Sequence, residues 1–212
     1  MLVIKPYNRE RAVEYALRWA LDRNPLFIDF TGIGGNCTNF VSQAILAGSC
    51  TMNYTPNYGW YYVDANDRAP AWSGVEFFYD FMTGAPVFSQ QNGGVGPFAV
   101  EIPMEQAEPG DVIQYANREG DWYHTVMVTG RDADGELLVS AQSDDARNRR
   151  LSTYNFASAR FLRIAGVRVE INDDVCFDVL LNGGEIPPMP PITEAPSMEA
   201  PRGEEVPPST QE

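Results

Sequence analysis

One histidine, His124, stands in the whole chain of 212 residues. Zinc hydrolase sites combine two or three imidazoles with a carboxylate or thiolates, and no paired CxxC is present either. A catalytic metal is therefore not expected, and neither is a cofactor. Any imidazole base has to be His124. Cysteine is scarce too: Cys37, Cys50 and Cys176 form an odd set in a chain large enough not to need stapling, so at least one thiol is free. Positive charge is in short supply, with 15 Lys and Arg against 29 Asp and Glu and a formal net charge of -14. No basic cluster offsets it, which argues against a nucleic-acid partner and an anionic membrane surface. No apolar run approaches the roughly 20 residues of a membrane span. The opening Met1-Leu2-Val3-Ile4-Lys5-Pro6 lacks the apolar stretch of a signal peptide. The expectation is a soluble monomer, cytoplasmic or exported by another route.

What is present is enough apolar and aromatic residue for one substantial core. Asn8 caps a predicted helix over 9–23, whose apolar face carries Val13, Ala16, Leu17, Ala20 and Leu21, and Asn24-Pro25 ends it. A second helix is predicted from Cys37, entered through Gly34-Gly35, capped by Asn36 and stopped at Gly48. Residues 50–70 are aromatic-rich and irregular. Ser73 with Glu76 reads as a capping box before a third helix that ends at Gly84, and 90–96 reads as a Gly-rich loop. From Asp111 onward the pattern changes to short strands at 112–115, 125–129, 137–140 and 161–164, with Asp132-Ala133-Asp134-Gly135 as a hairpin turn. Further strands are expected at 167–171 and 175–180. Helices followed by an antiparallel sheet make an α+β domain over 1–182, and the Pro- and Glu-rich segment 183–212 is expected to be a disordered tail.

Cys37 is the natural partner for His124. A thiolate at a helix N-terminus is stabilised by the macrodipole and by free N–H groups, and the same groups donate to an oxyanion formed when sulfur attacks a carbonyl. The competing explanation is core packing, because Cys37 shares a helical face with Val41 and Ala44. Cys–His sites often add a third polar group that orients the ring. Gln142, at the end of the strand after the hairpin, is one candidate and Asp144 the other. Ser42 and Ser73 lack a second histidine, Cys50 and Cys176 lack a helix start, and the acidic pairs Asp144-Asp145 and Asp173-Asp174 read as solvated turns. Three readings stay open: a hydrolase, an acyltransferase on the same dyad, and a catalytically retired module that holds a peptide or glycan with its aromatic loop.

At Gly34-Gly35-Asn36-Cys37-Thr38-Asn39-Phe40-Val41-Ser42-Gln43 the chain resembles a bacterial amidase-domain family with a Gly-Gly-Asp-Cys-Thr-Asn-Phe-Val-Ser-Gln signature. The resemblance continues through Gly110-Asp111-Val112-Ile113, His124-Thr125-Val126 and Arg160-Phe161-Leu162, and spans 7 to about 165. That family is similar to the NlpC-type and CHAP cysteine peptidases, in which Pro-Gly-Asp opens the strand before the His strand, as Pro109-Gly110-Asp111 does here. The resemblance implies a papain-like fold, Cys37 and His124 as the dyad, and hydrolysis of an amide or peptide bond, with cell-wall peptides a common substrate class. Two positions depart from it: Asn36 replaces an Asp, and Gln142 stands where the family commonly has His.

Overall fold

The computed structural model describes residues 2–84, 94–170 and 180–181. Among the described residues, four helices lie against one face of an antiparallel array of strands: α1 Arg9–Trp19, α2 Cys37–Ser49, the single turn α3 Pro70–Ser73, and α4 Val75–Thr83. The strands are β1 Val3–Lys5, β2 Gly96–Ile102, β3 Val112–Ala116, β4 Trp122–Arg131, β5 Leu137–Ala141, β6 Ala146–Arg150 and β7 Ser158–Val169. They form one sheet in the order β1-β7-β3-β4-β5-β6, with β2 also paired to β7, and every pairing is antiparallel. The α+β class read from the sequence is the class observed. Helices do not simply precede strands, however, because β1 comes before α1 and joins the far end of β7.

Strand alternation divides the interior in two. Val112, Met127, Leu162, Ile164 and Val167 point to the helices and pack with Tyr15, Phe40, Val41, Ile45, Trp60 and Trp72. Ile113, Tyr115, Val126, Val128, Val139 and Phe161 point the other way, into a second core closed by Leu151 and Ala107. The irregular stretch after α2 belongs to the first core: Trp60 is fully buried and its ring lies 4.9 Å from that of Trp72.

Several local expectations need correction. α1 stops at Trp19, and its buried face is Ala12, Tyr15, Ala16 and Trp19, whereas Leu21 is 61% exposed. Two aromatic side chains carry more apolar area than the Val–Leu stripe, and the helix is rotated to bury them. Asn8 does cap it, accepting from Arg11 N–H at 3.1 Å. α2 runs through Gly48, where a Cβ would stand 2.6 Å from the Asn8 carbonyl oxygen, so glycine there allows the start of α1 to close in. The stop is Cys50 in a left-handed conformation. Ser73 forms no capping box: α4 starts after Gly74 without a side-chain cap, and the Ser73 hydroxyl accepts from Arg68 Nε. The end at Gly84 is as expected. β2 and β6 were not anticipated, and 167–169 continues β7 rather than forming a strand of its own. Most of the 90–96 loop, the strand at 175–180 apart from Leu180, and the tail 183–212 lie outside the described residues.

A partly buried ion pair ties the start of α1 to the start of β3. Arg9 Nη1 reaches Asp111 Oδ1 at 2.6 Å, and Asp111 is completely buried. Its second oxygen accepts Glu108 N–H at 2.9 Å. Gly110 precedes it at φ +91, a conformation that disfavours any side chain, with the Arg9 stem packed on its Cα. Removing Arg9 leaves the buried Asp111 carboxylate with Arg163, 3.7 Å away, as its remaining cation, whereas Arg9 itself is partly exposed.

Candidate active site

Cys37 is the first residue of α2, 7% exposed, and among the described residues it is the free cysteine; Cys50 is disulfide-bonded. The expected cap is not made. Asn36 forms no side-chain capping bond. Its Oδ1 instead accepts Phe30 N–H at 3.0 Å and Asn39 Nδ2 at 2.8 Å, and its Nδ2 donates to Gln142 Oε1. The side chain thus ties the preceding loop to the helix and leaves the N–H groups of the first turn without a side-chain acceptor. Such groups are where an oxyanion finds its donors.

His124 lies in β4, directly across from Tyr115 of β3, and is 9% exposed. Its ring packs among Tyr115, Tyr123 and Tyr154, with centroids at 5.7, 6.3 and 6.2 Å. Burial pulls the imidazole down to about 4; Asp144 pushes it up and Arg149 pushes it down. The ring is therefore neutral at neutral pH. Its Nε2 is buried and, among the described residues, has no hydrogen-bond partner.

One hydrogen bond links the residue after Cys37 to the residue after His124. Thr38 Oγ1 and Thr125 Oγ1 are hydrogen-bonded at 2.9 Å, so the positions just after the cysteine and just after the histidine are joined. The turn between β5 and β6, Gln142 to Asp145, completes the link. Ser143, in a left-handed conformation, accepts Asn36 N–H on its hydroxyl. Asp145 takes both Nη groups of Arg23 at 3.0 Å each. Asp144 pairs with Arg149 at 2.8 Å and acts electrostatically on His124.

Gln142 does not orient His124. Its Nε2 donates to the carbonyls of Trp19 and Asp22, both at 2.7 Å, and its Oε1 is taken by Asn36. All of its bonding capacity therefore faces the end of α1 and the entry to α2. The reason lies in side-chain direction: continued past β5, the β4–β5 register sets Gln142 opposite Thr125, whose hydroxyl faces α2, while His124 alternates to the other side. Of the two candidates for the third group, Asp144 is the one that acts on the imidazole. The two departures noted in the signature, Asn36 and Gln142, touch each other.

Residues not foreseen from the sequence are Ser143, Thr125, Tyr115 and Tyr154. Tyr115 could not be reached by counting: alternation back from the Asn117–Asp121 turn sets it opposite Tyr123, and a register shift between Tyr115 and Ala116 puts it opposite His124 instead. Tyr154 follows a 3-10 turn with no local signal. Among the described residues no group of acidic, His or Cys side chains is arranged to hold a metal, and no helix is long and apolar enough to cross a membrane.

The model of the family described as "Putative amidase domain" matches residues 6–164. The chain is 33% identical over 147 residues to YhbB, an uncharacterized protein of Bacillus subtilis (strain 168). That alignment takes in 68% of this chain and 43% of the relative, so the chain spans less than half of that protein's length. No solved structure matches the chain.

Proposed function

We propose, from the premise that the chain belongs to this amidase-domain family, that it is a cysteine-dependent amidohydrolase with Cys37 as nucleophile and His124 as base. The observation that carries this reading is a free, buried thiol at the uncapped start of α2, joined through Thr38 and Thr125 to the strand of the chain's one histidine.

A neutral imidazole sets the order of events. His124 takes the thiol proton as Cys37 Sγ attacks the amide carbonyl, so the cation forms during the reaction and not before it. The tetrahedral oxyanion sits against the free N–H of Cys37. The imidazolium, favoured by the Asp144 carboxylate, then gives its proton to the departing amine, leaving a thioester on sulfur. Water adds to the thioester with His124 again as base, releasing the acid and restoring the thiol. The fold proposed to hold these steps is papain-like, as the signature around Cys37 implies, and peptide amides of the cell wall are the substrate class to test first. The chain's negative charge favours a peptide that carries a free amine.

A second reading has two observations in its favour: His124 Nε2 is not bonded to Cys37 Sγ in this structure, and the ring lies on the side of β4 opposite Thr125, whose hydroxyl faces α2. A retired module that binds a peptide without cleaving it would tolerate both. Activity-probe labelling with site mapping, followed by a peptide-library screen, separates the two. A hydrolase takes the probe at Cys37, and Cys37→Ala and His124→Ala each lose at least about 10²-fold in turnover. Peptide binding that survives Cys37→Ala, with no turnover by the wild type, sinks the hydrolase reading.

A further inference from the structure

Behind Cys37 runs a chain of buried polar side chains whose direction its far end dictates. Arg160 Nε donates to Gln114 Oε1 at 2.7 Å, and a guanidinium can only donate. The other end of that amide is therefore the donor: Gln114 Nε2 gives hydrogen bonds to Val75 O at 2.9 Å and to Thr125 Oγ1 at 3.2 Å. Thr125 Oγ1 lies 2.9 Å from Thr38 Oγ1, and Thr38 Oγ1 lies 3.8 Å from Cys37 Sγ. With the Thr125 oxygen accepting from Gln114, the arrangement that uses both hydroxyl donors has Thr125 donate to Thr38 and Thr38 donate to sulfur.

The head of the chain is a fixed positive charge. The Arg160 guanidinium lies 3.6 Å from the Tyr79 ring centroid and 4.0 Å from that of Trp122, and Nη2 is 3.3 Å from Glu76. Gln114, Thr125 and Thr38 are fully buried, so the dipoles that follow are little screened by water.

We propose that Thr38 is a catalytic hydrogen-bond donor to the Cys37 sulfur, and that Thr125, Gln114 and Arg160 are positioning residues that aim its hydroxyl. This rests on the reading of Cys37 as nucleophile and deepens it: the thiolate that forms during attack receives a donor from inside the protein, on the side away from substrate. A hydrogen bond to a charged acceptor is stronger than one to a neutral group, so the donor favours the thiolate over the thiol.

The test needs no substrate, which keeps its failure distinct from that of the hydrolase reading. The rate of Cys37 alkylation by iodoacetamide is followed against pH in the folded protein, with Cys50 held in its disulfide. Thr38→Val keeps shape and loses the hydroxyl, and its profile should move about one pH unit to the alkaline side. Thr38→Ser should restore the wild-type profile. Thr125→Val breaks the chain one link back, on a strand and not in the first turn of α2, and should give a shift of the same sign and about half the size. It also serves as the independent arm if Thr38→Val does not fold. An unshifted profile in either folded valine variant overturns the proposal. So does a shift in Thr38→Val that Thr38→Ser fails to reverse, since that would reflect packing alone.

Discussion

Around Cys37 the buried polar atoms of Asn36, Thr38, Asn39, Thr125 and Gln142 all have partners. Around His124 three have none among the described residues: its own Nε2 and the hydroxyls of Tyr115 and Tyr154. The three rings form one cluster, since Tyr115 and Tyr154 lie 5.3 Å apart and both touch the imidazole. The surroundings of the proposed nucleophile are held by directed hydrogen bonds and the proposed base by aromatic packing. A side chain that must stay at one place is fixed best by directed bonds. A ring that changes charge during a reaction is better left without a strong partner in the resting state, because a bond made only to the cation acts in the transition state and not before.

The largest effect that would break this contrast lies in the acid range. His124 is lowered from 6.5 to about 4, chiefly by burial. Unfolded, the ring takes up a proton near 6.5, so the unfolded chain binds more protons than the native one between that value and about 4. The stability contributed by the neutral buried ring is thus complete above pH 6.5 and lost as pH falls toward 4. It amounts to about 3 kcal/mol. Urea unfolding of the wild type and of His124→Phe across this range isolates the term, because other acid-labile groups are common to both. The wild type should lose about 3 kcal/mol more than the variant between pH 7 and 4. Parallel curves would mean that His124 is not held neutral and that the contrast is mistaken.

A smaller effect sharpens the other side. Asn36 Nδ2 faces Gln142 Oε1, and Gln142 cannot turn its amide over without pointing an oxygen at the carbonyls of Trp19 and Asp22. Asn36→Asp sets a carboxylate oxygen against an amide oxygen, and should cost about 2 kcal/mol. Adding Gln142→His restores a donor, so the double variant should regain about half of that loss. A double-mutant cycle by thermal unfolding measures the coupling, expected at about 1 kcal/mol. Additive single effects would show that the two positions do not share a bond. In this chain the two positions form one contact, which bears on the setting of Cys37.

How much of this was visible beforehand follows from what each feature depends on. Cys37 at a helix start, the strands from Val112 onward and the α+β class depend on local pattern, and the sequence carries local pattern directly. The rotation of α1 and the role of Gln142 depend on which face a residue presents to an element far along the chain. Gln142 was placed correctly at a strand end, yet one step of strand alternation decides whether its amide meets His124 or Asn36, and composition cannot count that step. β6 escaped notice because Ala-Arg-Asn-Arg-Arg lacks β-branched residues, and only its pairing with β5 makes it a strand. Arg23 and Asp145 lie 122 residues apart in sequence, and no local signal joins them.

The smallest effect is the most pointed test of the base side. Burial pushes the Tyr115 and Tyr154 hydroxyls up in the titration range, so both stay protonated, and each is buried without a partner among the described residues. A hydroxyl in that condition contributes nothing to the resting fold, and replacing it by hydrogen relieves a desolvated group. Tyr154→Phe, singly and with Tyr115→Phe, should therefore leave thermal stability within about 0.5 kcal/mol of wild type or raise it slightly. Loss of more than about 1 kcal/mol in the double variant would reveal hydrogen bonds that the resting structure does not contain, and the base side would then be as firmly bonded as the nucleophile side. Because the chain has a single histidine, the same variants permit an unambiguous imidazole titration by NMR. If the hydroxyls accept Nε2–H only once the ring is charged, they leave stability unchanged and lower the His124 midpoint further, a pairing of outcomes that packing alone does not produce.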